Sequence, residues 1–510
     1  MIVALGAQVG DLIEPLTGRR WDLETIQERC GRRVALYRAK GLRAGDRVFV
    51  HFGNTCEFFV ELLAIWQLGG CVAPIDPRLT PFEVEILARW ARPRFSVWEG
   101  VPDDEMGAGL RSLDVTALVT SEDGDPATSG PAAWSPPSLD QDALILFTSG
   151  TTGSPKGVVH THQSLRARWR SLHQALGLET LRRTLCLLPT HFGHGLICNA
   201  LFPWLFGQDL HVVPPFKPDL LTRLGTLIDE HQITFMSSVP AVWVLAIKTS
   251  RRPRTGALRR VVCGSAPLSG ALWKDIQDWT GTTDVLNAYG ITETASWLAG
   301  TTVEGFVPED GLIGRPWGAV VKIVAGGNDA ARPDVDAGCR VGEPGRIWVN
   351  TPALMRGYLD RDDLTREVVS GGWFATGDIG HVDDRGLLYL RGREREEINK
   401  GGLKVYPGDV DAIVERFPAI IDTCTFGYPD PLYGENVGIA VVVSPPAAET
   451  LAEVYEFARR HLAGHQLPGR WYLVEQIPRT TRGKVNRADV AEHCATLTPV
   501  RIGVTTRAPR

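Results

Sequence analysis

Residues 148–157 read TSGTTGSPKG, a run of glycines and hydroxyl side chains closed by a proline and a lysine. Neither a helix nor a strand favours that composition. Glycine lets main-chain N–H groups close around an anion, hydroxyls add donors, and a lysine adds a mobile positive charge. The apolar stretch DALILF (142–147) precedes it and reads as a strand, and a strand feeding such a loop is the usual setting for a bound phosphate. The spacing through Gly150, Gly153 and Lys156 is GxxGxxKG, not the GxxxxGK[ST] of a P-loop nucleotidase. Composition alone balances a phosphate cradle against a plain surface loop.

Five later stretches tip that balance: NAYGITET (287–294), WFATGDIG (373–380), RGREREEINKGGLKVYPGDVD (391–411), FGYPDPLYGENV (426–437) and IPRTTRGKVNR (477–487). With LFTSGTTGSPKGVVHTH (146–162) they closely resemble, in order, the motifs of the adenylate-forming superfamily. That family holds acyl- and aryl-CoA synthetases, peptide-synthetase adenylation domains and luciferases. Its reaction has two halves. A carboxylate attacks the α-phosphate of ATP, giving an acyl-adenylate and pyrophosphate, and a nucleophile then takes the acyl group. Two anions must meet in the first half, so positive charge and N–H donors are needed to offset their repulsion.

The resemblance implies a role for each matching position. Thr148, Ser149, Gly150, Thr151, Thr152, Gly153 and Lys156 would cradle the β- and γ-phosphates. Glu293 would contact Mg²⁺, a hard ion that prefers carboxylate, phosphate and water oxygens. Lys484 would bridge the carboxylate and the α-phosphate, a task suited to a point charge on a long stem. Asp378 would accept from the ribose hydroxyls, with Arg393 as a second ribose or phosphate contact. Gly264, Ser265, Ala266 and Pro267, with Asn287, Ala288 and Tyr289, would form the adenine slot, and Gly290 and Thr292 complete the nucleotide-binding set. For the second half-reaction, a hinge at Arg395 would swing Lys484 away and bring Gly401, Gly402 and Lys404 to a tunnel for the acceptor.

The acid pocket is expected along LPTHFGHGLICNALFPW (188–204), similar to the corresponding stretch of benzoate-type CoA ligases. Relatives place a gating His or aromatic there, and His191, Phe192 and His194 all qualify; His191 joins Lys156 and Lys484 as a catalytic candidate. Val239, Trp243, Ser296 and Trp297 are further wall residues, Trp243 being equally well a core residue. Amino-acid-activating relatives carry an Asp in this region for the substrate ammonium. None lies between His191 and Leu201, and an ammonium buried without a partner is costly. The expected substrate is therefore a small carboxylic acid with a neutral body: aryl, cyclic or short acyl. The acceptor is the CoA thiol or, as the alternative, an amine, which would give an amide. A non-catalytic nucleotide-binding protein is the remote third reading, opposed by intact Lys156, Glu293, Asp378 and Lys484.

These residues need a scaffold, and the periodicity supplies one. A helix is expected over 22–41, a strand at 46–52, a helix over 57–70 and a short buried strand at CVAPID (71–76). Such alternation predicts parallel sheets covered by helices. Residues 121–140, rich in Pro, Ser, Gly and Asp, read as a linker. In SLRARWRSLHQAL (164–176), Leu165, Trp169, Leu172 and Leu176 form an apolar stripe, which leaves Arg166, Arg168 and Arg170 for a solvated face. Strands and turns dominate 311–392, and a compact α+β pattern follows. The fold class is α/β. It has a large N-terminal domain (1–394) of helix-covered sheets plus a β-rich subdomain, and a small mobile α+β C-terminal domain (395–510) that carries Lys484.

Composition narrows the partners. The chain has 510 residues, 44% apolar and 22% charged, with a formal charge of −5. That balance gives no reason to expect nucleic acid or an anionic membrane as a partner. No apolar run is long enough to span a bilayer, and the N-terminus lacks the basic region of a secretory signal. The nine cysteines are scattered without a CxxC pair and read as buried thiols in a reducing cytoplasm.

Overall fold

The computed structural model describes residues 9–120, 137–148, 156–215, 218–302, 306–325, 338–400, 403–431, 433–444, 446, 448–479 and 485–500. The expected linker lies outside them up to residue 136. The chain forms two compact units. The first comprises Met1–Glu309, Ile313–Val321 and Val349–Phe374; the second comprises Asp310–Leu312, Lys322–Trp348 and Ala375–Arg510.

The first unit is built on two sheets. One runs Ser296–Gly300, Val285–Ile291, Arg260–Gly264, Phe235–Ser238, Arg183–Cys186, Asp209–Val212, Leu12–Glu14 and Arg19–Trp21. Its neighbours from Val285–Ile291 to Leu12–Glu14 are parallel. The other runs Gly357–Tyr358, Lys156–Thr161, Asp142–Thr148, Cys71–Pro74, Arg47–His51, Phe95–Trp98 and Thr116–Val119. It is parallel from Asp142–Thr148 onward and antiparallel where Asp142–Thr148 meets Lys156–Thr161. Between them lies helix Cys56–Gln67, buried from Phe58 to Trp66. A helix apolar on every side must sit inside a core. This one packs in a single cluster with Val48 and Val72 of one sheet and Leu210 and Val212 of the other. Trp66 Nε1 donates to the Ala143 carbonyl at 2.7 Å. The expected first helix is present as Leu23–Ala39, capped by the Asp22 carboxylate on the Thr25 amide at 2.9 Å.

Helix His162–Leu176 corrects one expectation. Arg166 is half-buried and Arg170 exposed, but Arg168 is fully buried, so the arginines do not share a solvated face. Arg168 lies three residues after Leu165 and four before Leu172, which places it inside the apolar stripe. The guanidinium is tolerated there because its donors reach main-chain carbonyls: Nε and Nη2 to Thr294 O at 3.2 and 3.0 Å, and Nη1 to Trp317 O at 2.8 Å.

The second unit carries part of the strand-rich stretch, Lys322–Trp348 and the residues from Ala375, and the C-terminal α+β layer; Ile313–Val321 and Val349–Phe374 belong to the first. Strands Trp373–Val382 and Leu388–Arg393 pair antiparallel around a turn at Asp383–Gly386. Further on, a sheet runs Leu403–Val405, Ile398–Lys400, Gly434–Val443 and Ile420–Asp430, with Arg470–Leu473 parallel to Gly434–Val443. Helices Pro407–Val414, Ala448–His461 and Arg487–Ala495 accompany it, and Val437, Ile439 and Val441 meet Val410, Val414, Leu451 and Val454 in its core. The α/β class expected from the sequence is the one observed. Among the described residues, no helix is long and apolar enough to cross a membrane.

Candidate active site

The phosphate-loop candidates Ser149, Gly150, Thr151, Thr152 and Gly153 lie outside the described residues; Thr148 and Lys156, which flank them, do not. These two stand opposite each other where the strands Asp142–Thr148 and Lys156–Thr161 pair. Lys156 Nζ lies 5.1 Å from the ring centroid of Tyr358, within cation–π range. The Tyr358 hydroxyl in turn donates to Glu293 Oε1 at 2.8 Å. Tyr358 reaches this position because Gly357–Tyr358 pairs antiparallel with Lys156–Thr161, setting it opposite Val158. Sequence reasoning missed it. The only local signal is a Gly-Tyr pair in a turn-prone stretch, and the pairing that gives it meaning is made with a strand far away in the chain.

Glu293 sits in the short turn Thr292–Thr294. Among the described residues, no group of three or more His, Cys, Asp or Glu gathers as a cage for a metal ion. One half-exposed carboxylate is the donor set expected for a Mg²⁺ that keeps several waters and is held largely by substrate phosphates. The residues present therefore fit that ion.

The adenine candidates lie at the C-terminal ends of parallel strands, where open α/β sheets bind their ligands. Gly264 ends the strand Arg260–Gly264 and pairs with Ala288 of the neighbouring strand. A Cβ on Gly264 would lie 2.5 Å from the Ala288 carbonyl oxygen, so only glycine lets the two strands approach this closely. Ser265, Ala266 and Pro267 emerge exposed, with Ser265 at φ +64°. Asn287, Ala288 and Tyr289 are buried. Gly290 and Thr292 are half-buried, and Thr292 O faces His160 Nε2 at 2.7 Å.

The acid-pocket candidates surround a buried π-helical segment, His194–Leu201, a form that often marks functional sites. Asn54 anchors the residues ahead of it: Nδ2 donates to Leu188 O and Val213 O at 2.9 and 3.0 Å, and Oδ1 accepts from the Thr190 amide at 3.0 Å. His194 Nδ1 lies 2.8 Å from Ser265 Oγ and its Nε2 contacts Ser237 Oγ, so both ring nitrogens are engaged and the adenine and acid segments are tied together. A ring held on both sides is poorly suited to swing as a gate. His191 and Phe192 are half-buried, and His191 Nε2 lies 3.4 Å from Asp76 Oδ2. Burial pushes the Asp76 carboxyl up, but the hydrogen bonds from Arg78 and the neighbouring His191 outweigh it and hold the group below its ordinary range.

Trp297 and Ser296 are buried, and the Trp297 ring meets His194 edge-on at 5.0 Å. Val239 is half-buried and stands just ahead of the helix Pro240–Thr249. Trp243 is fully buried and packs 5.6 Å from Trp279 in a core cluster, the core alternative of the two considered for it.

In the second unit, Asp378 is buried and its Oδ1 pairs with Arg393 Nε at 2.7 Å across the hairpin. Arg395 falls in the short turn Glu394–Glu396, whose flanking carboxylates pair with Arg346 and Arg487. Lys404 is in the strand Leu403–Val405, opposite Asn399. Gly401, Gly402 and Lys484 lie outside the described residues.

Residues 16–359 match the AMP-binding enzyme family and residues 409–484 its C-terminal domain. The chain belongs to the AMP-binding enzyme family, the AMP-forming acid ligases whose motifs it carries. It is 28% identical to a long-chain-fatty-acid–CoA ligase of Mycobacterium tuberculosis, over 96% of each chain. It is 29% identical to a 2-succinylbenzoate–CoA ligase of Bacillus licheniformis, over 88% of this chain and 89% of that one. The crystal structure of ATP-bound MatB from Rhodopseudomonas palustris superposes with a TM-score of 0.86 at 25% identity, covering 97% of this chain and 98% of that one.

Proposed function

We propose that this enzyme couples a small carboxylic acid to CoA through an acyl-adenylate, using ATP and Mg²⁺. The observation that carries the reading is the meeting of Lys156 and Glu293 at Tyr358, which brings a phosphate-loop cation and a lone hard carboxylate to one place. Bound Mg²⁺ would offset phosphate charge. Thr148, Ser149, Gly150, Thr151, Thr152, Gly153 and Lys156 would hold the β- and γ-phosphates, and Glu293 would contact the ion. Gly264–Pro267 and Asn287–Tyr289, with Gly290 and Thr292, take the adenine. Asp378, oriented by Arg393, takes the ribose. The acid carboxylate attacks the α-phosphorus, the bond to the bridging oxygen breaks, and pyrophosphate leaves. Lys484 stabilises the charge that gathers there, so its loss lowers the rate more than it weakens ATP binding. The small C-terminal domain, from residue 395, then turns about Arg395. Gly401, Gly402 and Lys404 line the approach of the thiol, whose sulfur takes the acyl group as AMP leaves.

Two relatives that share most of the chain are named as CoA ligases, which supports a thiol acceptor. Their named acids differ widely, so the acid is argued from this chain. Trp297 against His194, with no acidic residue between His191 and Leu201, favours an aryl, cyclic or short acyl body. His191 or Phe192 serves as the gate, and Val239 and Ser296 line the pocket. The nine free cysteines, all buried except the half-buried Cys339, suit the reducing cytoplasm.

The test is pyrophosphate release across a panel of acids, with CoA or amines added and the product identified by mass. Acid-dependent release with thioester formation, lost in Lys484→Ala, is the expected result. An amide product would reassign the acceptor. ATP binding with no release from any acid would make the protein a nucleotide binder.

A further inference from the structure

The turn that carries Glu293 is held in an unusual way. It links the strands Val285–Ile291 and Ser296–Gly300, whose register shifts between Tyr289 and Gly290. Ala295 and Ser296 follow it with φ of +54° and +72°, two consecutive non-glycine residues in the left-handed region. Such residues cost on the order of 1 kcal/mol or more each, and they persist only where the surroundings over-determine them. The packing is tight enough that a Cβ on Gly290 would lie 2.0 Å from the Ser296 carbonyl oxygen.

Three residues from elsewhere in the first unit over-determine this turn, one at each consecutive carbonyl. Thr292 O faces His160 Nε2 at 2.7 Å. Glu293 O accepts from the Met355 amide at 2.7 Å. Thr294 O accepts from Arg168 Nε and Nη2 at 3.2 and 3.0 Å. A carbonyl can only accept, so the His160 proton sits on Nε2, and Nδ1 is left facing Ser164 Oγ at 3.1 Å. Arg168 is fully buried, and its donors go to carbonyls; its remaining bond, to Trp317 O at 2.8 Å, braces it from the far side. Burying a guanidinium is costly, and an aliphatic side chain would fill this helix stripe at no such cost. What the arginine adds is a planar fork that fixes a backbone.

We propose that Arg168 and His160 are positioning residues for the adenylation half-reaction: with the Met355 amide they pin the carbonyls of Thr292, Glu293 and Thr294 and so aim the Glu293 carboxylate at the nucleotide-bound Mg²⁺. Neither residue touches substrate; both act through the turn. The inference rests on the reading of Glu293 as the magnesium contact.

Two measurements on the full chain test it together. The first is amide hydrogen exchange at residues 292–296. The second is the gain in ATP affinity when Mg²⁺ is added, measured by titration calorimetry. Arg168→Met and Arg168→Lys are expected to speed exchange in the turn and to lose about tenfold of the Mg²⁺-dependent gain, or 1.4 kcal/mol. In a Glu293→Gln background the same substitutions cost nothing further, because the carboxylate they aim is gone. His160→Ala behaves likewise, whereas His160→Gln, which keeps a donor for Thr292 O, restores the gain. These variants also serve if Arg168→Met fails to fold. An unchanged Mg²⁺ gain despite faster exchange overturns the proposal, as do losses that simply add to those of Glu293→Gln. If Glu293→Gln alone leaves the gain intact, the magnesium reading falls and takes the positioning role with it. The exchange data then show whether the turn is clamped at all.

Discussion

At the scale of residues, the site turns on side chains whose partners are distant in the chain. Lys156 and Glu293 are legible as candidates because each stands in a motif that resembles one of the family's. Tyr358 joins them only through a strand pairing. Its hydroxyl is the part of it that acts on Glu293, while its ring is what meets Lys156. Tyr358→Phe separates the two. It keeps the ring and removes one hydrogen bond to a charged group, so fold stability should fall by about 1–2 kcal/mol at most and the KM for Mg·ATP should rise as the Glu293 carboxylate loses its anchor. Steady-state kinetics at saturating acid checks this, and an unchanged KM would detach Tyr358 from the nucleotide site. His194 teaches a related point. In the sequence it stands beside His191 and Phe192 as an equal candidate for the gate; in the fold Ser237 and Ser265 engage both of its nitrogens.

At the scale of elements, glycines decide how closely strands approach. Gly264 allows its strand to lie against Ala288, where a methyl group would meet a carbonyl oxygen at 2.5 Å. Gly264→Ala should therefore force the adenine segment apart, lowering stability by about 1–3 kcal/mol and weakening ATP binding. Gly31 makes the contrast: it lies inside the helix Leu23–Ala39, and a Cβ there meets nothing within 4 Å. Gly31→Ala should stabilise the protein by about 0.5–1 kcal/mol and leave ATP affinity alone. Thermal unfolding and calorimetry distinguish the two; equal effects would mean that the strand contact does not matter. The helix His162–Leu176 shows where element-level reading fails. The apolar stripe was legible and the helix lies where periodicity put it, yet Arg168 belongs to the buried face. Hydrophobic patterning ranks an arginine as exposed because it cannot see the carbonyls that will receive the charge.

For the whole molecule, buried histidines set the acid limit. Burial pushes the His51 imidazole down to about 3 and those of His160, His162 and His211 down to about 4. The unfolded chain takes up their protons near pH 6.5 while the folded chain does not, so stability falls as pH drops from about 6.5 toward 4, at about 1.4 kcal/mol per pH unit for each group once it titrates fully. Glu61 runs the other way: burial raises it to about 7, the folded state holds its proton longer, and it offsets one histidine of the four between about pH 7 and 4.5. All five groups lie in the first unit, whose urea midpoint should be clearly lower near pH 5 than near pH 7. Equal midpoints would show that these histidines are not held neutral.

The sequence by itself determined the family and the alternation of helices and strands, because these depend on residue types at short spacing. The tertiary structure decided what short spacing cannot encode. It brought Tyr358 between Lys156 and Glu293, turned Arg168 inward onto the Glu293 turn, sent Trp243 to the core, and engaged both nitrogens of His194. Each of these depends on a contact between segments far apart in the chain, and such contacts exist only once the sheets have paired and the helices have packed between them.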